Sequence, residues 1–193
     1  MKEKIRLIQA RLGVEADGVI GPRTVEALMV ALAIEERPVW PSQAMVRSGR
    51  SCFGRAGCES DLVSMVPPYP LKYEGKAVRS IRVHKLIAPH VDGALREVLE
   101  HYGQEEITRL GLDVYGGSYN YRPTSTGSAL SMHAWGIALD FAPQTNALRM
   151  QAPAATLSHP DCVAWWQIWE RHGAVSLGRA RDYDWMHLQF ARL

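Results

Sequence analysis

The chain has 193 residues, of which 47% are hydrophobic and 22% charged, and its formal net charge is +2. This composition is typical of a globular protein of one domain with a small appendage, and it excludes a disordered or collagen-like chain. The longest apolar run, Ala27–Ile34, is far shorter than the about 20 residues of a membrane-spanning helix, so we expect no stable membrane insertion. The small net charge gives no support for a nucleic-acid partner.

The first residues, MKEKIRLIQARLG, are charged throughout and contain no apolar core. We therefore predict no secretory signal and a chain that is kept in a cytoplasm. Three cysteines exclude a disulfide scaffold, because one of them must stay unpaired. Cys52 and Cys58 are close enough in sequence to pair, but a reducing compartment would keep them as thiols.

Residues 1–36 are predicted to form a short helical segment. Apolar residues at helical spacing precede Gly13, where the first helix should end, and Asp17-Gly18 is typical of a turn. Thr24 is suitably placed to cap a second helix. A two-helix segment of this size buries little surface by itself, so we expect it to pack on other residues or to bind a partner.

Residues 37–74 are rich in proline, glycine and serine, and we interpret them as a linker with an irregular lead-in to a second domain, residues 75–193. Four arginines against one glutamate in residues 37–60 indicate a solvated loop, with an anionic cell-wall surface as the alternative ligand. The predicted strands are Val78–Val83, Gly117–Tyr121, Gly136–Phe141 and Trp185–Phe190, and the predicted helices are His90–Tyr102 and Asp161–His172. This order lacks βαβ alternation and predicts an α+β fold, an antiparallel sheet with flanking helices.

Two segments of the second domain contain residues that can bind a metal ion. His133 and Asp140 would lie about 10 Å apart along a continuous helix, too far for one ion. Trp135-Gly136 indicates instead a loop that enters a strand, which would let the two side chains meet. His187 on a neighbouring strand would complete a set of two imidazoles and a carboxylate. Three protein ligands with one open position are typical of catalytic zinc, although iron or manganese also accepts such ligands.

Two polar residues flank His187. Asp184 lies three residues earlier, so it must lie in a turn before the strand if it is to face the metal. From there its carboxylate can take a proton from the water that the metal activates and pass it to a leaving amine. Gln189 follows His187 on the same strand face and can orient that imidazole. By spacing alone, an ordinary structural role is equally compatible, with His133 capping a loop and Asp140 ending a strand.

Three segments resemble one enzyme family. Ser131–Asp140, SMHAWGIALD, resembles the S-x-H-x-x-G-x-A-x-D signature of the M15 zinc peptidases, and Asp184–His187, DWMH, resembles their acidic-x-x-His element. Gly116–Pro123, GGSYNYRP, is similar to their arginine-bearing strand. The resemblance covers roughly residues 75–193 and implies the α+β fold of the D-Ala-D-Ala carboxypeptidases and hedgehog-like domains, with one zinc ion.

The resemblance also implies a role for each matching residue. Asp184 takes the place of the catalytic base, which is Glu in many members of the family. Arg122 matches the arginine that stabilises the substrate carbonyl as negative charge develops, with a surface salt bridge as the alternative. The implied zinc ligands are His133, Asp140 and His187. The implied substrate-binding residues are Tyr121, Ser131 and Trp185, of which Trp185 is equally suited to the core.

The N-terminal stretch Leu7–Leu28 resembles the Q-x-x-L…D-G-x-x-G-x-x-T…A-L pattern of peptidoglycan-binding domains and covers about half of their three-helix module. It would bind the wall weakly or pack on the linker. Together the resemblances imply a monomeric phage endolysin that stays in the host cytoplasm until a holin opens the membrane to bacterial peptidoglycan. Endolysins of this branch cut the L-Ala–D-Glu bond of the stem peptide. The alternatives are a D-Ala-D-Ala carboxypeptidase and a non-catalytic wall-binding protein.

Overall fold

The structure is a computed structural model that describes residues 1–32, 38–125 and 127–193. The chain divides into two compact units, Met1–Arg37 and Pro38–Leu193. The predicted boundary between residues 36 and 37 lies outside the described residues. Within the described part of the chain, no helix combines the length and the apolar character needed to cross a membrane.

The first unit contains the two predicted helices, α1 (Lys2–Arg11) and α2 (Pro22–Ala31). The predicted cap at Thr24 is wrong. Gly21 is the N-cap of α2, and Pro22 occupies the first turn, where a missing N–H costs nothing. Thr24 is buried instead, and its hydroxyl accepts a hydrogen bond from Gln9 Nε2 at 3.0 Å.

Gln9 holds the turn between these helices. Its side chain is 1% exposed, donates to Asp17 Oδ1 at 2.7 Å and accepts from the backbone N–H of Gly18 at 2.8 Å. Gly18 adopts a φ of 79°, and an added Cβ would lie 3.2 Å from the carbonyl oxygen of Lys2. The Asp-Gly pair therefore forms the predicted turn because glycine is needed at this close approach.

In its described residues, the second unit is built from short strands, four α-helices and four 3-10 turns around a common core. Its helices are α3 (Gln43–Arg47), α4 (Ala88–Arg109), α5 (Val163–Arg171) and α6 (Leu177–Arg181), with 3-10 turns that include Met132–Trp135 and Pro160–Cys162. Its strands are β1 (Leu62–Met65), β2 (Leu71–Tyr73), β3 (Lys76–Val78), β4 (Ile81–His84), β5 (Tyr115–Gly117), β6 (Ala138–Phe141), β7 (Val175–Ser176) and β8 (His187–Gln189).

The predicted α+β class and antiparallel pairing are confirmed. Four strands form the central sheet in the order β5-β6-β8-β7, and β1-β4 and β2-β3 form two separate antiparallel pairs. On the central sheet Asp140 lies directly opposite His187. Directly opposite residues of an antiparallel pair point to the same face, so this register brings the two side chains together.

Aromatic residues of α5 form the centre of the core. Trp165 and Trp169 are fully buried, and both contact Phe141 of the central sheet, with ring centroids 5.3 and 5.8 Å apart. The face of α5 that carries these residues therefore packs on β6, the strand that also carries Asp140. α4 packs beside α5, and its first part confirms the helix predicted at His90–Tyr102, because non-helical backbone at Gly103, with a φ of 68°, separates that part from a second helical stretch that ends at Arg109.

Residues 38–74 belong to the folded unit and do not form the predicted linker. They contain α3, β1 and β2, and they bury the core side chains Val46, Phe53, Tyr69 and Leu71. The strand predicted at Gly117–Tyr121 is also displaced, because pairing with β6 covers Tyr115 to Gly117 and the following residues are irregular. Cys52 and Cys58 are free thiols.

Gly136 connects the 3-10 turn Met132–Trp135 to β6 with a φ of 68°. An added Cβ would lie 2.6 Å from Leu62 Cδ2 and 3.2 Å from the backbone nitrogen of His84. We expect Gly136→Ala to lower the free energy of unfolding by about 2–5 kcal/mol, because backbone strain and overpacking add. Urea denaturation measures this loss.

Gly49→Ala is the matched control. Gly49 has a φ of 71°, and nothing lies within 4 Å of its added Cβ. It should therefore show the backbone cost alone, about 1–2 kcal/mol. Equal losses in the two variants would contradict the steric part of the explanation.

Candidate metal centre

The local structure around Gly136 brings His133 towards β6. Ser131 begins the 3-10 turn, and its Oγ accepts a hydrogen bond from the backbone N–H of His133 at 3.4 Å. The left-handed conformation of Gly136 then reverses the chain into the strand that carries Asp140. The loop-to-strand arrangement predicted from Trp135-Gly136 therefore places both side chains beside His187.

His133, Asp140 and His187 form one buried cluster that could hold a metal ion. His133 Nε2 lies 3.2 Å from His187 Nδ1 and 3.2 Å from Asp140 Oδ2, and His187 Nδ1 lies 3.0 Å from Asp140 Oδ1. A tetrahedral zinc ion with bonds of about 2.0–2.1 Å separates its ligand atoms by about 3.3 Å. The three donor atoms are therefore spaced as ligands of one such ion.

The outer nitrogen of each imidazole has its own acceptor. His133 Nδ1 donates to the carbonyl oxygen of Ser118 at 2.5 Å, and His187 Nε2 donates to Gln189 Oε1 at 3.2 Å. The orientation of the Gln189 amide is fixed because its Nε2 donates to the carbonyl oxygen of Ala191 at 2.7 Å. With these outer bonds in place, each ring can direct a lone pair at a bound metal ion, as metal-binding histidines do, or carry a proton towards Asp140 when no metal is bound.

The electrostatics of the cluster favour a positive charge at its centre. Burial alone would raise the pKa of Asp140, but hydrogen bonds from His133 and His187 hold it well below its usual range. Burial opposes a charge on His187, yet its hydrogen bond to Asp140 and the charge of that carboxylate raise the pKa of the imidazole. Two lone pairs and a carboxylate within about 3 Å of one another repel unless a proton or a metal cation lies between them.

Asp184 lies in the turn between α6 and β8, as its spacing from His187 predicts for a residue that faces the metal. Its φ is 55°, and its carbonyl oxygen accepts from the backbone N–H of His187 at 3.0 Å. The side chain is 8% exposed, and within the described part of the chain its buried Oδ1 has no hydrogen-bond partner. Burial, followed by the nearby charge of Asp140, raises the pKa of Asp184 to about 6.

The cluster and Asp184 open onto a cavity of about 180 Å³, here called the site cavity. Arg122 lines it and donates only to the carbonyl oxygen of Pro123, at 3.3 Å, so the alternative of a surface salt bridge is not observed among the described residues. Other polar residues that line the site cavity are Gln43, Arg47, Thr124, Ser125, Ser131, Arg181, Tyr183 and Gln189.

Two of the expected substrate-binding residues lie outside the site cavity. Tyr121 is 60% exposed, and its ring covers Gly57. Trp185 is buried, donates from Nε1 to Asp182 Oδ1 at 2.7 Å and packs against Gly178. It is therefore a core residue, which was the alternative to substrate binding. Of the three, the structure brings only Ser131 to the metal cluster.

Sequence reasoning missed the contributions of Gln43, Arg47 and Arg181. Gln43 Nε2 donates to Gln189 Oε1 at 3.0 Å, a contact across 146 residues of sequence. No spacing or motif could have indicated it. Ser118 was missed as well, because it contacts His133 through its carbonyl oxygen, a group that every residue carries.

Gln189 gives a direct test of the cluster. We expect Gln189→Leu to lower zinc affinity by about 10- to 100-fold, because His187 loses the acceptor that fixes its tautomer. Competition with a chromogenic chelator measures the affinity. Gln144→Leu, at an exposed position away from the site cavity, is the control and should leave affinity unchanged. Unaltered zinc binding in Gln189→Leu would contradict the role given to this amide.

Comparisons of the chain with protein-family models, with curated proteins and with solved structures give no match. The residues of the candidate metal centre provide two imidazoles and a carboxylate at ligand spacing. Beside them lies Asp184, whose Oδ1 has no hydrogen-bond partner among the described residues.

Proposed function

We propose that this chain is a zinc peptidase of the M15 type that hydrolyses the L-Ala–D-Glu bond of the bacterial peptidoglycan stem. The observation that carries the proposal is the buried cluster of His133, Asp140 and His187, whose donor atoms lie 3.0–3.2 Å apart beside the site cavity. The motif resemblance at Ser131–Asp140 supports the same assignment, because three of its positions take part in this geometry.

The donor set fits a catalytic zinc ion better than a structural one. Structural zinc has four protein ligands, whereas only three converge here among the described residues, next to a cavity that a substrate can enter. When bound, zinc supplies a Lewis acid that polarises the scissile carbonyl and activates water for attack. Ser118 and Gln189 hold the two imidazoles in the required tautomers.

The neighbouring side chains supply the proton transfers. Asp184 Oδ1 is buried and has no hydrogen-bond partner in the part of the chain that the structure describes, so it can accept the proton of the water that attacks the carbonyl carbon. The guanidinium of Arg122 stabilises the negative charge that develops on the carbonyl oxygen. As the intermediate collapses, the C–N bond breaks and Asp184 returns the proton to the leaving amine, which regenerates the carboxylate.

We further propose that the first unit binds peptidoglycan and that the whole chain acts as a monomeric phage endolysin, released from the host cytoplasm through a holin. The motif residue Gln9 donates hydrogen bonds to the motif residues Asp17 and Thr24, so the role of the three is to shape the unit. Exposed apolar side chains are left to contact the wall, among them Leu7 and Val30 at 68% and 81% exposure.

The test is mass spectrometry of purified peptidoglycan that has been digested with the full chain, with and without a zinc chelator. We expect new amino-terminal glutamate that is absent when the chelator is present. Released D-alanine would instead identify a D-Ala-D-Ala carboxypeptidase on the same site. No product under either condition would contradict the enzymatic proposal and leave a wall-binding protein.

A further inference from the structure

Three arginines from distant parts of the chain converge on the site cavity. Arg47 lies at the end of α3, Arg122 precedes Pro123, and Arg181 ends α6. Among the described residues, none of the three forms an ion pair with a carboxylate. Arg122 is already assigned to the scissile carbonyl. The proposed reaction gives no role to the guanidinium groups of Arg47 and Arg181.

Arg47 is held in a fixed relation to the metal cluster. Its Nε donates to the carbonyl oxygen of Leu130 at 3.0 Å, and its Nη1 donates to Gln43 Oε1 at 3.1 Å. Gln43 in turn donates to Gln189 Oε1, the acceptor of His187 Nε2. A chain of hydrogen bonds therefore links this guanidinium to a metal ligand, and its Nη2 has no protein partner in the described part of the chain.

The charge balance of the site cavity indicates an anionic ligand. A divalent ion in the cluster would be offset by the carboxylates of Asp140 and Asp184. Among the described side chains that line the site cavity, no further carboxylate offsets the positive charges of the three arginines. A concave site with uncompensated charge attracts an anion, and a guanidinium group binds carboxylates with paired hydrogen bonds.

We propose that Arg47 and Arg181 bind a free carboxylate on the amine side of the scissile bond, so that the enzyme selects stem peptides whose glutamate is not amidated. This inference rests on the proposed function and specifies its substrate. In a peptide with a γ-linked D-glutamate, the free α-carboxylate is attached to the carbon that carries the scissile nitrogen. The two arginines are specificity-determining residues, and Asp184 and the metal ligands perform the chemistry.

The test compares L-Ala-γ-D-Glu-L-Lys with the same peptide carrying D-isoglutamine, using the zinc-loaded full chain. Amidation removes a charge-assisted hydrogen-bonded pair, so we expect kcat/KM to fall by about 10- to 100-fold. Arg181→Gln and Arg47→Gln should each lower kcat/KM for the acidic peptide more than for the amidated peptide, so that the ratio of the two values falls towards one. Arg149→Gln and Arg50→Gln, exposed positions that do not line the site cavity, are the matched controls.

A binding measurement separates this inference from the proposed function. Calorimetry with metal-free protein should show tighter binding of the acidic peptide, with a preference that Arg181→Gln reduces. Equal affinities and equal rates for both peptides would overturn the inference, while their cleavage would still support the peptidase. If the zinc-loaded protein cleaves neither peptide, the proposed function fails. In that case, the difference in affinity between the acidic and the amidated peptide for metal-free protein still tests whether the site binds a carboxylate.

Discussion

His187→Ala is expected to abolish hydrolysis and to reduce bound zinc from one ion per chain to a trace. His187 Nδ1 lies 3.0 Å from Asp140 Oδ1 and 3.2 Å from His133 Nε2, so the substitution removes one of three converging donors. Removal of a ligand costs more than the about 10- to 100-fold that a supporting residue contributes, so zinc affinity should fall by more than about 100-fold. Elemental analysis after gel filtration measures the bound metal.

Thermal unfolding checks that the substitution acts through the metal. Because an ion that binds only the folded chain stabilises it, a chelator should lower the Tm of the unsubstituted protein and leave that of His187→Ala unchanged. His159→Ala removes an exposed imidazole that is paired with Asp161, and it should retain both zinc and activity. Full zinc content in His187→Ala would contradict the assignment of this ligand.

Asp184→Asn is expected to lower turnover by about 10²- to 10⁴-fold while one zinc ion stays bound. The amide has nearly the shape of the carboxylate but cannot accept the proton of the attacking water. Asp184 Oδ1 is buried and has no protein partner among the described residues, so no structural hydrogen bond is lost there. Steady-state kinetics on a stem peptide, together with zinc content, separate the chemical step from metal binding.

Two further variants test whether the loss of turnover is due to the carboxylate of Asp184 itself. Asp184→Glu keeps a carboxylate at the same turn and should retain more activity than the amide variant. Asp92→Asn removes a partly exposed carboxylate that forms an ion pair with Arg96 on α4, away from the site cavity, and it should leave turnover unchanged. Undiminished turnover in Asp184→Asn would remove this residue from the mechanism, and loss of zinc would show that its role is structural.

The metal cluster was predictable because its determinants are local. Gly136 can adopt the left-handed conformation that ends the turn carrying His133, and the strand that follows carries Asp140. The odd spacing between Asp184 and His187 requires a turn between them, and the structure contains one. The α+β class likewise follows from the order of apolar patterns, which lacks the regular alternation of strands and helices that an α/β fold requires.

The remaining features depend on contacts that sequence patterns do not encode. Strands of three or four residues, such as β1 and β2, are too short to show alternation in a segment rich in proline and glycine. Threonine is a common helix-capping residue, but the hydroxyl of Thr24 accepts a hydrogen bond from the buried side-chain amide of Gln9 instead of capping α2. The approach of Arg47 to the cluster depends on Gln43 and Gln189, which only the folded chain brings together.

Anomalous X-ray diffraction from zinc-loaded crystals, recorded on both sides of the zinc absorption edge, tests the metal centre most directly. One peak should lie between His133 Nε2, the Asp140 carboxylate and His187 Nδ1, at the about 2.0–2.2 Å that zinc keeps from nitrogen and oxygen ligands. A peak at other residues, or none in crystals of an active protein, would contradict the assignment of this cluster as the catalytic zinc site.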